Sequence, residues 1–304
     1  MITCVGSLAF DTTATPAGRA VEEPGGSGAY FSLAAALLSK VSLVSAVGGD
    51  FPKGFLEGMA ARNVDVSGVR VENGAKTMRY GSTFLDDFNI RRQDFTQLNV
   101  FERFDPQISR AQAKNPFLYL GTLTPAIQLS VIRQMENPEF VAMDTIEYFI
   151  KNDFDGVKRV LAQVGCAILN DAEARMLTRR QNLVAAGGEL LRMGPSMAVI
   201  KKGEHGSILF LQDGTVSPYP AFPLESVVDP TGAGDAFAGG FVGFLSRAGS
   251  VRRESLRKAM AWGTVAGSIT VESFGTKPLM EATFETALER YEKYRALMHY
   301  EEEK

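Results

Sequence analysis

Short apolar runs recur along the chain with helix-length stretches between them, and this alternation is its clearest signal. Ile2 to Gly6, Val41 to Val47, Phe117 to Gly121, Phe140 to Asp144, Cys166 to Asn170 and Ala198 to Lys201 are short and mostly apolar. The pattern predicts strands buried on both faces, as in a parallel sheet. Helical spacing follows most of them: Phe31 to Leu38, Phe51 to Ala61, a run from Pro125, a start after Asn170, Ala236 onward, Leu256 to Val271 and an amphipathic Glu281 to Leu297 before an acidic tail. Strands alternating with helices give an α/β fold with a doubly wound sheet, whose strand ends face a ligand crevice.

Two stretches break the rhythm. Lys76 to Leu85 and Gln93 to Val100 read as strands around the polar turn Asp86-Asp87-Phe88-Asn89. This hairpin carries the aromatics Tyr80, Phe84, Phe88 and Phe95, expected to be exposed. Ser207 to Phe210 and Val216 to Tyr219 form a second hairpin.

Composition narrows the classes. With 304 residues, 45% hydrophobic and 22% charged, the chain is an ordinary soluble protein with a sizeable core, read as one domain over 1–304 without internal repeats. A net charge of −3 leaves no basic footprint for nucleic acid. No apolar run approaches the roughly 20 residues of a membrane span, and the N-terminus opens into a strand rather than a signal peptide. Cys4 and Cys166 both lie in apolar strands and read as buried free thiols, which points to the cytoplasm.

The chemistry concentrates at Asp229-Pro230-Thr231-Gly232-Ala233-Gly234-Asp235, where Ser226-Val227-Val228, read as a strand end, runs into the small-residue helix. Backbone N–H groups at Gly232, Ala233 and Gly234 and the positive end of the helix dipole make an anion site. A carboxylate repels a phosphate there, so Asp235 makes sense as the base that takes a proton from an attacking hydroxyl. An aspartate-capped glycine turn would explain Gly-Ala-Gly-Asp alone, but not the longer pattern.

From Asp229 to Val242 every restricted position resembles the C-terminal signature of the ribokinase or PfkB carbohydrate kinase family. Gly25-Gly26-Ser27-Gly28-Ala29-Tyr30, continued through Ser32 and Ser39 to Gly48-Gly49-Asp50, is similar to its N-terminal signature, except that Tyr30 stands in place of a sugar-binding Asn and Ser27 in place of ribokinase's Lys. The resemblance implies a ribokinase-like three-layer α/β/α fold with a small β-sheet lid built from 12–23 and 76–100, through which such proteins often form homodimers. It implies ATP-dependent phosphorylation of a primary hydroxyl, with Asp235 as catalytic base.

On the acceptor side the resemblance implies Asp11, Gly25, Gly26, Ser27 and Tyr30, with Leu123 where ribokinase has a carboxylate. Ala9 replaces an Asn that would bind a sugar hydroxyl. Tyr30 and Leu123 are therefore expected to form an apolar and aromatic wall. On the nucleotide side it implies Gly203 and Gly206 in the turn after Ala198 to Lys201, Gly263 beside an adenine, and Asn170 with Glu173 organising Mg²⁺ through water. Asn170 and Glu173 also fit a capping box, and both readings can hold. Lys201 either neutralises a phosphate or is solvated. Asp144 faces the crevice or caps a helix. Asp229, Thr231 and the turn at Gly275 match a monovalent-cation site, K⁺. The acceptor is read as a sugar-like molecule, with a nucleoside or a catalytically silent sensor as alternatives. A nicotinamide dehydrogenase is disfavoured because no Gly-x-Gly-x-x-Gly loop follows the first strand.

Overall fold

The computed structural model describes residues 1–85, 88 and 90–298. Asp86, Asp87 and Asn89 of the expected turn, and the acidic tail after Met298, lie outside the described residues. Thirteen strands are present among the described residues: β1 (Ile2–Val5), β2 (Ala9–Thr15), β3 (Gly18–Gly25), β4 (Val41–Gly48), β5 (Val64–Glu72), β6 (Met78–Phe84), β7 (Arg91–Gln97), β8 (Phe117–Leu120), β9 (Phe140–Met143), β10 (Cys166–Asn170), β11 (Met197–Lys201), β12 (Ser207–Leu211) and β13 (Val216–Tyr219).

Nine of them form one sheet in the order β13-β12-β11-β10-β9-β8-β1-β4-β5. The strands from β11 to β5 run parallel, while the β12–β13 hairpin closes one edge antiparallel. Because β1 pairs with β4 on one side and β8 on the other, the chain winds both ways from it, and the crevice opens over the strand ends at this switch point. Alternation puts Ile2, Cys4 and Tyr119 into one core with Phe31 and Phe241, and Val5, Leu118 and Leu120 into another with Val157 and Leu177. The helices Ser27–Ala36, Ala233–Ala248 and Arg253–Thr270 cover the first face; Pro125–Gln134, Phe154–Leu161, Asp171–Thr178 and Leu183–Arg192 cover the second. The result is the three-layer architecture expected. Phe31 stacks on Tyr119 with ring centroids 3.8 Å apart, locking Ser27–Ala36 to the sheet next to the site.

β3-β2-β6-β7 form the second, four-stranded sheet. Several local expectations change. β7 ends at Gln97 and a 3₁₀ turn, Asn99–Arg103, follows, so the second strand lies a few residues earlier than its apolar residues suggested. Of the four hairpin aromatics only Phe95 is exposed; Phe84 is buried and Tyr80 and Phe88 are half-buried. Ser226-Val227-Val228 is not a strand, because the Val228 N–H donates to the Val271 carbonyl at 2.8 Å and ties the loop to a helix end. The terminal helix runs Phe284–Leu297, with Thr283 as its N-cap, and Glu281 ends the separate short helix Lys277–Glu281.

Candidate active site

The glycine-rich loop meets its helix through a left-handed residue, Gly232 (φ 74°, ψ −3°), a conformation that a side chain disfavours. Before it, Asp229 is buried and its Oδ1 accepts the Thr231 N–H at 2.9 Å, which fixes the turn. The Ala233 N–H donates to the Pro230 carbonyl at 3.2 Å and is thus engaged inside the turn. Of the three amides expected to hold an anion, Gly232 and Gly234 make no hydrogen bond to other described residues and Ala233 does. Asp235 stands in the first turn of the helix. Its carboxylate accepts a long hydrogen bond from the Tyr119 hydroxyl, 3.4 Å. Burial, with the Asp144 charge adding to it and Lys201 opposing, pushes the Asp235 carboxyl up to about 7, a suitable value for a base at neutral pH.

Behind Asp235 lies a charged cluster. Lys201 at the end of β11 donates to Asp144 Oδ2 at 2.7 Å and reaches the Gly234 carbonyl at 3.5 Å. Both partners are mostly buried, at 14% and 8% side-chain exposure, so Lys201 is not a solvated lysine. Burial alone would lower its ammonium, but Asp144, Glu173 and Asp235 together hold it above the ordinary lysine value. Asp144 caps no helix: its Oδ1 accepts the Thr145 N–H at 2.7 Å, and Ile146 precedes the next helix. Asn170 and Glu173 form the capping box, with both reciprocal bonds at 2.8 Å. Burial raises the Glu173 carboxyl above its usual range, Asp144 adds to this and Lys201 opposes it. Among the described residues no group of three or more His, Cys, Asp or Glu side chains is arranged to hold a metal ion. Such a site fits Mg²⁺ only if waters and phosphate oxygens supply most of its ligands.

On the acceptor side the N-terminal glycines make room for Asp11. A Cβ on Gly25 would lie 2.1 Å from Asp11 Oδ2, and the Gly26 N–H donates to that same oxygen at 3.1 Å. Burial pushes the Asp11 carboxyl up to about 7 against the pull of this N–H. Ser27 turns inward, its Oγ accepting the Ser7 N–H at 3.2 Å, and staples the helix start to the end of β1. Leu123 is 3% exposed within the second core. Tyr30, expected as a pocket wall, is 1% exposed and lies under the glycine loop instead: a Cβ on Gly232 would fall 2.3 Å from its Cγ. Tyr30 and Leu123 therefore line no accessible wall.

Toward the nucleotide side, Gly203 is exposed and opens the turn after β11, while Gly206 packs so closely on β13 that a Cβ would lie 2.0 Å from the Tyr219 carbonyl. Gly263 is buried where two helices cross, its Cβ position 2.9 Å from the Phe237 carbonyl, so its smallness serves helix packing. Asp229 and Thr231 belong to the glycine loop. Gly275 lies nearby: its N–H, with the Thr231 hydroxyl and N–H, counters the burial that raises Asp229. Thr13 and Tyr119 escaped the sequence reading. Thr13 pairs with Thr231, hydroxyl to hydroxyl at 3.1 Å, and its only signal was its place two residues after Asp11.

The model of the pfkB family carbohydrate kinases matches residues 1–283. The chain belongs to this family. It is 30% identical to the cytidine kinase of Thermococcus kodakarensis over 251 residues, 80% of this chain and 87% of that protein. The solved nucleoside kinase of Burkholderia thailandensis in complex with inosine superposes with a TM-score of 0.77 at 19% identity, covering 97% of this chain and 99% of that one. The aminoimidazole riboside kinase of Salmonella enterica, complexed with aminoimidazole riboside and an ATP analogue, gives 0.75 at 20%, covering 96% and 100%. As a member of the PfkB family, the protein is an ATP-dependent kinase of sugar-like small molecules, a phosphotransferase with a hydroxyl acceptor.

Proposed function

We propose that the acceptor is a nucleoside or a related riboside and that Asp235 is the base. The observation that carries the reading is the position of Asp235: a half-buried carboxylate in the first turn of a helix whose Gly232 and Gly234 amides stay uncommitted. In this reading Asp11 and the Gly25-Gly26 backbone orient the acceptor. Asp235 takes the proton as the hydroxyl oxygen bonds to the γ-phosphorus of ATP, the bond to the β-phosphate oxygen breaks, and ADP leaves. The free amides stabilise the charge on the transferring group. A nucleoside acceptor is supported by the names of the relatives and by Ala9, which offers no side-chain hydrogen bond to a sugar.

Asn170 and Glu173 would hold Mg²⁺ through water, and Mg²⁺ when bound neutralises phosphate charge. Glu173→Ala should then raise the Mg²⁺ needed for half-maximal rate, whereas a role in capping alone would leave that requirement unchanged. Asp229 suits K⁺, because among the described residues N–H and O–H donors rather than a basic side chain meet its carboxylate. The reading includes a homodimer through the small sheet, supported by the exposed Val21, Leu85, Ile90, Phe95 and Leu98 on its segments. Among the described residues no helix is long and apolar enough to cross a membrane.

A thermal-shift panel of nucleosides and free sugars with a non-hydrolysable ATP analogue, followed by steady-state kinetics with ATP, tests the acceptor, since ligands stabilise by mass action. Nucleosides should raise Tm and be phosphorylated, and ribose should stay below a kcat/KM of about 10⁴ M⁻¹s⁻¹. Efficient ribose turnover with no response to nucleosides would sink the nucleoside reading.

A further inference from the structure

Tyr30 is the residue that the proposed reaction leaves unused. It is large, 1% exposed, and its buried hydroxyl faces the Asp11 carboxylate without a hydrogen bond of ordinary geometry. A hydroxyl so placed recovers little of its desolvation cost, so the ring rather than the polar tip is what the position holds. One end of the ring lies against the Gly232 backbone: a Cβ there would be 2.3 to 2.4 Å from Cγ, Cδ1 and Cδ2, which sets Gly232 on the ring face. The other end reaches the acceptor carboxylate, for a Cβ on Gly25 would meet Asp11 Oδ2 at 2.1 Å and Tyr30 Cε2 at 3.1 Å. The ring is therefore a bar between Asp11 and the loop presenting Gly232 and Gly234. Its own helix, Ser27–Ala36, is packed along Ala233–Ala248 and stacked through Phe31 on Tyr119, whose hydroxyl touches Asp235.

We propose that Tyr30 is the positioning residue of the anion loop, holding the Gly232 amide at the height where it meets the transferring phosphoryl group. The inference rests on reading Gly232 to Asp235 as the catalytic loop. A loop over a rigid ring cannot sink, and displacements near 1 Å at a reacting centre cost up to about a hundredfold in rate. Removing the ring should thus lower kcat more than it changes KM, because the amide matters most when charge develops on the phosphoryl oxygens. A role in packing alone would lower stability and leave kcat intact in the folded enzyme.

The test combines steady-state kinetics with thermal melts. Tyr30→Phe, which keeps the ring and gives up only the weak contact of the hydroxyl with Asp11, should hold kcat within about threefold and change Tm little. Tyr30→Leu should lower kcat at least tenfold at temperatures where the melt shows it folded, with a smaller change in the KM for ATP. Tyr30→Met, whose flexible chain refills irregular space, replaces it if Leu does not fold. Gly232→Ala puts a methyl into the ring and should cost more in the wild type than in the Leu or Met background. Full kcat in the ring-less variants, or equal cost of Gly232→Ala in both backgrounds, overturns the proposal. If Asp235→Asn also stays active, the loop reading itself has failed; if Asp235→Asn is inactive, only the role of Tyr30 has.

Discussion

The floor of the site and the small sheet beside it are built in opposite ways. On the floor, Asp229, Asp144 and Glu173 are buried, Gly232 rests on Tyr30, and Lys201 is held among three carboxylates. In the small sheet every residue of the outer strand β7 is exposed, and β2, whose Phe10 joins the first core, is its largely buried strand. Few side-chain bonds join it to the floor: Asp11 Oδ2 to the Gly26 N–H at 3.1 Å, Thr13 to Thr231 at 3.1 Å, Thr15 Oγ1 to the Val228 carbonyl at 2.8 Å, Thr276 Oγ1 to the Pro24 carbonyl at 3.1 Å, and Arg79 to Asp50 at 3.0 Å. A packed floor fixes charges at small separations, and a lightly tied sheet can open at low cost. On the proposed reading, catalysis uses the first property and exchange of ligands the second.

Substitutions in the two regions should therefore differ in kind. Asp235→Asn has the largest expected effect: kcat falls by roughly two to four orders of magnitude while the fold and ATP affinity persist, checked by steady-state kinetics and calorimetric titration. Lys201→Met strands Asp144 without its counter-charge, and breaking such a buried pair costs about 3 kcal/mol, visible as a lower midpoint in urea. Thr13→Val loosens the small sheet from the glycine loop and should cost only about 1 kcal/mol. Its signature is a raised KM for the acceptor with kcat nearly unchanged. A Thr13→Val enzyme with kcat as low as that of Asp235→Asn would erase the distinction between floor and sheet.

The same contrast explains what the sequence made legible. Buried parallel strands are short, continuous apolar runs, so the middle of the large sheet could be read from Ile2, Val41, Phe117, Phe140, Cys166 and Ala198 onward, while the half-exposed edge strand β5 could not. The glycine loop was legible because backbone chemistry leaves a residue pattern: Gly232 needs a left-handed φ, and Asp235 follows at the helix start. Long-range packing leaves no such mark. Tyr30 read as a pocket wall because its contact with Gly232 spans about two hundred residues, and Leu123 looked like a wall although the fold sinks it into the core. Gly263 suggested room for an adenine, while a helix crossing had already claimed that smallness. Asp144 was ambiguous between cap and crevice because Lys201, which decides the matter, arrives from another strand.

The pH dependence of kcat/KM for the acceptor tests the central claim most directly. A base works only when ionised, and burial with the Asp144 charge moves Asp235 up to about 7 in the folded enzyme. As pH falls below that value Asp235 takes up its proton and the rate should drop about tenfold per unit; as pH rises above it the rate should level off. Asp11 also titrates near 7, so the comparison with Asp235→Asn is needed. The account predicts that the substituted enzyme, at its low residual rate, loses the steep limb attributable to Asp235. A wild-type profile flat from pH 6 to about 8, or the same limb in Asp235→Asn, would contradict it.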